Sequence, residues 1–300
     1  MGLVSMWIES LDYEYEILET CTRHLSPRSK CSKCMEACEL DAISIKRGVP
    51  SIKGEACIQC GKCISACSVQ AVAGIFPKRT IIQNHLVITN DEKPPTTKEL
   101  LIYYKKGIKS VVSEQDIGKD WQTSLNEANS ILLKLGEKSF SVKVEKVDRG
   151  MEVLSRRDLF FTWRKDAQGF VKQMAPAKWR FNQEDLELAR YYQNHQFAAI
   201  TFNSEKCTLC SACQVLCPKN CLEITETQFS INAQPCTTCG LCEDICPEQA
   251  ISVREKISLY EIQHYKVYKK ICNQCKQSYN TVNQHAEKCV PCAKREGFLK

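Results

Sequence analysis

The chain has 300 residues, 21 of them cysteine, with 43% hydrophobic and 25% charged residues and a formal net charge of +6. That composition excludes a disordered chain, which would be poor in apolar residues, and a collagen-like or low-complexity one. Two or three domains are expected at this length, and the thiols are the feature to explain.

From the N-terminus, MGLVSMWIESLDYEYEIL is apolar only from Leu3 to Ile8. No basic residue precedes that run, and Glu9, Asp12, Glu14, Glu16 and Glu19 follow it, so it does not read as a signal peptide. Met6 stands where a myristoylation signal needs Ser or Thr. No stretch approaches about 18 consecutive apolar residues, so no membrane span is expected. The expected location is cytoplasmic, where thiols stay reduced and dense cysteine patterns bind metal rather than form disulfides.

The cysteines fall into three groups: eight from Cys21 to Cys67, nine from Cys207 to Cys246 and four from Cys272 to Cys292. In the first, Cys57, Cys60, Cys63 and Cys67 spell C-x2-C-x2-C-x3-C, followed by Ser68. Upstream, Cys31, Cys34 and Cys38 occupy the last three positions of the same run, with Glu39 next and Arg28 where the first cysteine would stand. Three thiolates two residues apart wrap one face of an iron–sulfur cube, because the short loop curls its sulfurs inward. The fourth, three residues on and expected at the start of a helix, points to a different cluster.

The next 139 residues contain no cysteine. His85–Thr89 is a strand candidate. Thr96-x-x-Glu99 is a capping box that opens a helix through Lys106, with Gly107 as its stop. Ile108–Val112 is the next strand. An amphipathic helix from Lys119 to Leu135 follows, with Trp121, Leu125, Ala128, Leu132 and Leu135 on one face. Phe140–Val147 alternates as a strand. The β-α-β-α-β order predicts a small parallel α/β domain over 81–150. No glycine-rich phosphate loop follows its strands, so nucleotide binding lacks support. Ser155-Arg156-Arg157-Asp158 resembles a twin-arginine motif, but no apolar run follows, and a helix cap is the better reading. Residues 174–181 read as an irregular linker, and a helix is expected from about Gln183 to Gln193, completing a helical linker over 151–202.

The second group is the most regular. Cys207, Cys210, Cys213 and Cys217 form the full run followed by Pro218, and Cys236, Cys239, Cys242 and Cys246 repeat it before Pro247. After each fourth cysteine the four half-motifs read CELDAI, CSVQAV, CPKNCL and CPEQAI. Cys221 therefore takes the place of Ala42, Ala71 and Ala250, where a small apolar residue packs against the cluster. An alternative ligand or redox thiol is the competing reading for Cys221. Each segment then runs into a short β-type stretch, such as Ile43–Ile45 or Ile251–Val253.

Residues 203–254 resemble the bacterial ferredoxin with two 4Fe–4S clusters. The resemblance implies that Cys207, Cys210, Cys213 and Cys246 hold one cluster and Cys236, Cys239, Cys242 and Cys217 the other. Residues 1–80 resemble the same family, with the departures noted at Arg28, Glu39 and Ser68. There the expectation is one cluster on Cys57, Cys60, Cys63 and Cys38, and another on Cys21, Cys31, Cys34 and Cys67. Cys21 would loop back to replace the missing thiolate, through a turn favoured by Ser26-Pro27. The alternative is a three-cysteine 3Fe–4S cluster with Cys21 free. In layout the 81–150 region resembles α/β domains fused to ferredoxins in hydrogenase and heterodisulfide reductase electron-transfer subunits, although the cysteines of those subunits are absent here. It is expected to dock a partner or space the modules.

In the tail, over 255–300, Cys272-x2-Cys275 and Cys289-x2-Cys292 are 13 residues apart. Two such knuckles are the signature of a zinc ribbon or treble clef. A single iron in the same ligand set is the alternative, and His285 reads as a surface residue. The tail carries nine Lys/Arg against four Asp/Glu, a surplus read as a solvated or protein-docking surface rather than a nucleic-acid site.

The expectation is an α+β chain: two ferredoxin-like modules, each with two 4Fe–4S clusters, flank a small α/β domain and are followed by a zinc-ribbon-like tail. Four 4Fe–4S clusters and one zinc make it an electron carrier or the accessory subunit of a redox enzyme, working between donor and acceptor oxidoreductases. Polyferredoxins and the iron–sulfur subunits of molybdenum- or nickel-dependent enzymes are the resembling classes. No independent catalysis is expected, because no paired-carboxylate, Ser–His or Cys–His arrangement is found. The competing class is an assembly or maturation factor, or a redox-responsive regulator that uses the zinc tail to bind a partner or nucleic acid.

Overall fold

The structure, a computed structural model, describes residues 15–74, 79–88, 94–145 and 186–298. The Ser155–Asp158 motif, the 174–181 linker and the first residues of the helix expected at Gln183 lie outside these. The chain divides into two units, Met1–Leu18 with Lys33–Leu186, and Glu19–Ser32 with Glu187–Lys300.

In the first unit, β1 (Glu16–Ile17) pairs antiparallel with a strand that comes later, over Val72–Ala73. The strands β2 (Ile43–Lys46) and β3 (Val49–Ile52) form a hairpin that turns at Arg47 and Gly48, both with positive φ. Val72–Ala73 is β4. These strands hold the one-turn helices Lys33–Glu36 and Lys62–Ala66, which carry Cys34 and Cys63. Gly74 is required where β4 passes Tyr15: a Cβ there would lie 2.4 Å from Tyr15 Cε1.

The same unit contains a four-stranded sheet in the order β5 (Ile81–Ile82), β6 (His85–Ile88), β7 (Ser110–Ser113), β8 (Ser141–Val144). The last three strands run parallel, as the β-α-β-α-β pattern requires. Helix Thr97–Lys105 starts on the expected capping box, with Thr96 Oγ1 accepting from the Glu99 N–H and Glu99 Oε2 from the Thr96 N–H. Helix Lys119–Lys134 buries Trp121, Leu125, Ala128 and Leu132, the spacing of one face of a 3.6-residue helix. Glu99 is buried and accepts from Arg79 Nη2 at 3.1 Å and from Ser65 Oγ at 3.4 Å. That carboxylate ties the cysteine-bearing helix Lys62–Ala66 to the first helix of the α/β domain.

The second unit is built on β9 (His195–Phe202), β10 (Leu222–Ile224), β11 (Gln228–Asn232) and β12 (Ile251–Leu259). β9 pairs with β12, and β10 and β11 form a hairpin. β13 (Ile262–Lys266) then adds to β11, so the sheet continues past residue 254. Ile200, Phe229, Ile231 and Ile251 fill the core between these strands, with Phe202 edge-on to both Phe229 and Tyr265 at 4.7 Å. The helix expected near 183–193 is a single turn, Leu188–Tyr191, among the described residues. It gives way directly to β9, because His195-Gln-Phe-Ala-Ala-Ile alternates with period two and pairs with β12. The hairpin β14 (Tyr268–Ile271) and β15 (Ser278–Thr281) carries the first tail knuckle. Helix Val290–Phe298 starts inside the second knuckle and includes Cys292.

Candidate metal centres

Four half-motifs share one backbone device. The third residue after each fourth cysteine, Asp41, Gln70, Asn220 or Gln249, is left-handed with φ between 48° and 53°. This turns the next N–H back onto the cysteine sulfur: Ala42 onto Cys38 Sγ at 3.3 Å, Ala71 onto Cys67 at 3.1 Å, Cys221 onto Cys217 at 3.3 Å and Ala250 onto Cys246 at 3.2 Å. Each fourth cysteine follows a short helix rather than starting one. Cys67 and Cys246 are the C-cap residues of Lys62–Ala66 and Leu241–Ile245, so the sulfur leaves the helix where the chain turns away.

The C-x2-C-x2-C loops share a second device. Gln59 and Gly61, Leu209 and Ser211, Thr238 and Gly240 are left-handed pairs at equivalent places in three loops. Alternating hands in successive residues point backbone N–H groups into a common concavity, which favours bound negative charge. The loop before Cys34 has no such pair, in keeping with Arg28 in place of its first cysteine.

Three cavities lie inside these loops, each lined by four of the expected ligands. One is lined by Cys38, Cys57, Cys60 and Cys63, with Tyr15, Leu40 and Ile58 around them. A second is lined by Cys217, Cys236, Cys239 and Cys242 together with Cys221. The third is lined by Cys207, Cys210, Cys213 and Cys246. Among the described residues, no three thiols in these cavities lie within 4.8 Å of one another, which leaves room for a body larger than one ion. Thr237 Oγ1 is buried without a hydrogen-bond partner and lines the second cavity; a buried hydroxyl of this kind calls for an acceptor. Thiols around apolar space, backbone N–H groups on sulfur and an orphaned hydroxyl together fit an iron–sulfur cluster.

The thiols also crowd one another. Burial pushes Cys63 up to about 12, helped by the charges of Cys60 and Cys57. Burial lifts Cys213 to about 12 and Cys239 to about 11 in the same way, and raises Cys242 and Cys207. Cys217 goes the other way, to about 6, foremost because the Cys221 thiol donates to it and then because backbone N–H groups do. Such sets ionise together only around positive charge.

Of the remaining expected set, Cys34 and Cys67 belong to the first unit, and Cys21 and Cys31 to the second. Cys21 is the N-cap residue of helix Thr22–Leu25. Ser29 Oγ donates to Thr22 Oγ1 at 3.0 Å and Arg23 Nε to the Cys31 carbonyl at 2.6 Å, closing this segment on itself. Arg28 Nη1 donates to the Ile245 carbonyl at 3.2 Å, and the Lys30 N–H to Asp244 Oδ2 at 2.7 Å. Arg28 thus anchors its segment beside Cys246, a role that its place in a broken cysteine motif does not announce.

The tail thiols behave differently. Cys272, Cys275, Cys289 and Cys292 place their sulfurs within 4.8 Å of one another, with Cys275 and Cys289 3.7 Å apart. Four sulfurs at about 2.3 Å from a common ion are about 3.8 Å from each other, so this set fits one tetrahedral metal and no cube. Cys272 is fully buried. Its thiol is brought down to about 6 by the N–H groups of Cys275 and Cys289, whereas hydrogen bonding with Cys289 pushes Cys292 up to about 12. His285 is not part of the group.

Among the described residues, no helix is long and apolar enough to cross a membrane. No curated protein matches the chain as a whole or in part. Residues 188–251, the second unit's cysteine-rich core, match the family of 4Fe-4S dicluster domains, and the chain therefore carries an iron–sulfur dicluster domain of ferredoxin type.

Proposed function

We propose that this chain is a cytoplasmic electron-transfer protein with four 4Fe–4S clusters in two ferredoxin-like modules, passing electrons between donor and acceptor oxidoreductases as an accessory subunit. The observation that carries the reading is the repeated cradle, in which an N–H reaches a cysteine sulfur in all four half-motifs. The ligand sets are Cys57, Cys60, Cys63 and Cys38; Cys21, Cys31, Cys34 and Cys67; Cys236, Cys239, Cys242 and Cys217; and Cys207, Cys210, Cys213 and Cys246. Clusters of this kind supply one-electron chemistry at potentials set by hydrogen bonds to sulfur, charge and burial. The chain's own part is to hold the thiolates, supply N–H donors and keep water away with residues such as Ile200, Leu222 and Leu241. Cys272, Cys275, Cys289 and Cys292 bind a structural zinc in the tail.

Anaerobic reconstitution followed by stepwise reduction and electron paramagnetic resonance tests this. The proposal expects reversible signals and re-oxidation by a low-potential protein acceptor. Irreversible loss of clusters to an apo-enzyme during turnover would instead indicate an assembly factor.

A further inference from the structure

Three of the four N–H groups that reach a fourth cysteine belong to alanine, at Ala42, Ala71 and Ala250. The fourth belongs to Cys221. That side chain is 3% exposed, sits in the core with Ile200, Leu222 and Phe229, and has Cys217 and Cys236 packed against it. It lines the cavity of Cys217, Cys236, Cys239 and Cys242, beside the two thiols packed against the same core, Cys217 and Cys236. Both of those are ligands in the assignment above, so their sulfurs accept and cannot donate. Only Cys221 has a proton to give.

The direction of the effect follows from charge. A hydrogen bond to a ligating sulfur draws electron density from it and favours the cluster state that carries one more electron. The N–H contacts onto the fourth cysteine are common to all half-motifs, and the Leu209 N–H adds one onto Cys207 Sγ at 3.4 Å in the neighbouring set. On the Cys217 and Cys236 side, Cys221 places a thiol where the other half-motifs carry alanine.

We propose that the Cys221 thiol donates a hydrogen bond to the thiolates of Cys217 and Cys236 and raises the reduction potential of the cluster they hold above that of its neighbour on Cys207, Cys210, Cys213 and Cys246. This deepens the electron-transfer reading and rests on it. An electron delivered by a low-potential protein donor then settles on the Cys221 side of the module and leaves from there to the acceptor. Cys221 keeps its proton throughout: the added electron raises by one unit the negative charge that its S–H faces, and no proton moves.

The test is a redox titration of the full-length holoprotein followed by electron paramagnetic resonance, in the unmodified chain, Cys221→Ala and Cys221→Ser. Alanine is the residue that the other three half-motifs carry, and iron content and circular dichroism check that each variant is intact. In Cys221→Ala, one cluster should be about tenfold harder to reduce, or about 59 mV lower for a one-electron couple, with the others unmoved. Cys221→Ser retains a donor and should stay close to the unmodified protein. An unshifted potential in Cys221→Ala overturns the proposal, as does an equal shift in both variants, which would mean packing rather than donation. Loss of a cluster's iron in Cys221→Ala makes Cys221 a ligand and overturns it too. An unmodified protein that takes up no clusters removes the underlying reading instead, and that is seen before any variant is made.

Discussion

Ser211 has φ +61° at a place where the two equivalent loops use Gly61 and Gly240. A left-handed conformation costs a residue with a Cβ roughly 1–2 kcal/mol, and glycine's extra chain entropy returns part of that. Ser211→Gly should therefore stabilise the unit by about 0.5–1 kcal/mol, read as a higher denaturation midpoint at constant iron content. Glu99 lies at the opposite extreme: buried and bonded to Arg79 and Ser65 while it caps its own helix. Glu99→Ala leaves Arg79 short of its carboxylate and should cost about 3–5 kcal/mol in chemical unfolding of the first unit. The capping half of that role was legible in Thr96-x-x-Glu99, because it is local. The bond to Ser65, 34 residues away, was not, since nothing in a linear pattern says which buried groups meet. The left-handed Asp41, Gln70, Asn220 and Gln249 were hidden for a related reason: no single side chain marks the position, and what all four share is the backbone turn.

At the scale of elements, the α/β domain was the most legible part, because period-3.6 and period-2 patterns and helix stops are local signals. His85–Ile88, Thr97–Lys105, Ser110–Ser113, Lys119–Lys134 and Ser141–Val144 fall where the apolar spacing places them, within a residue or a few. β13 is not legible in the sequence, because Ile262–Lys266 is half exposed and its partner is β11, some 30 residues earlier. The place of each fourth cysteine at the end of a helix rather than its start was also missed, because a single turn gives too few residues for a periodic signal. The tail knuckles were legible from spacing alone. Cys289→Ser should abolish zinc binding, loosen the β14–β15 hairpin and leave the iron content unchanged, as measured by elemental analysis and hydrogen exchange. That expectation follows from the zinc proposed for the tail, since a structural zinc supplies most of the folding free energy of sites this small. In the first unit, Gly74→Ala would force the Tyr15 ring off its contact, since a Cβ there meets ring atoms at 2.4 and 2.6 Å. Overpacking of this kind costs about 1–3 kcal/mol. Tyr15 also lines the cavity of Cys38, Cys57, Cys60 and Cys63, so that cluster should be lost first on exposure to air.

For the whole molecule, twelve of the 21 cysteines line three cavities as expected ligands, and four close on one ion. The spacing had already separated these two kinds, because ligand reach is set by loop length. It did not reveal Arg28 bonded to Ile245 or the distinct surroundings of Cys221. The central claim is four clusters and one zinc, and quantitative iron, sulfide and zinc analysis of the anaerobically reconstituted full-length protein and its Cys21→Ala variant tests it most directly. The account predicts about 16 iron, 16 sulfide and one zinc per chain, with about four iron lost in Cys21→Ala. About eight iron in the unmodified protein, or no loss of iron in the variant, would contradict it.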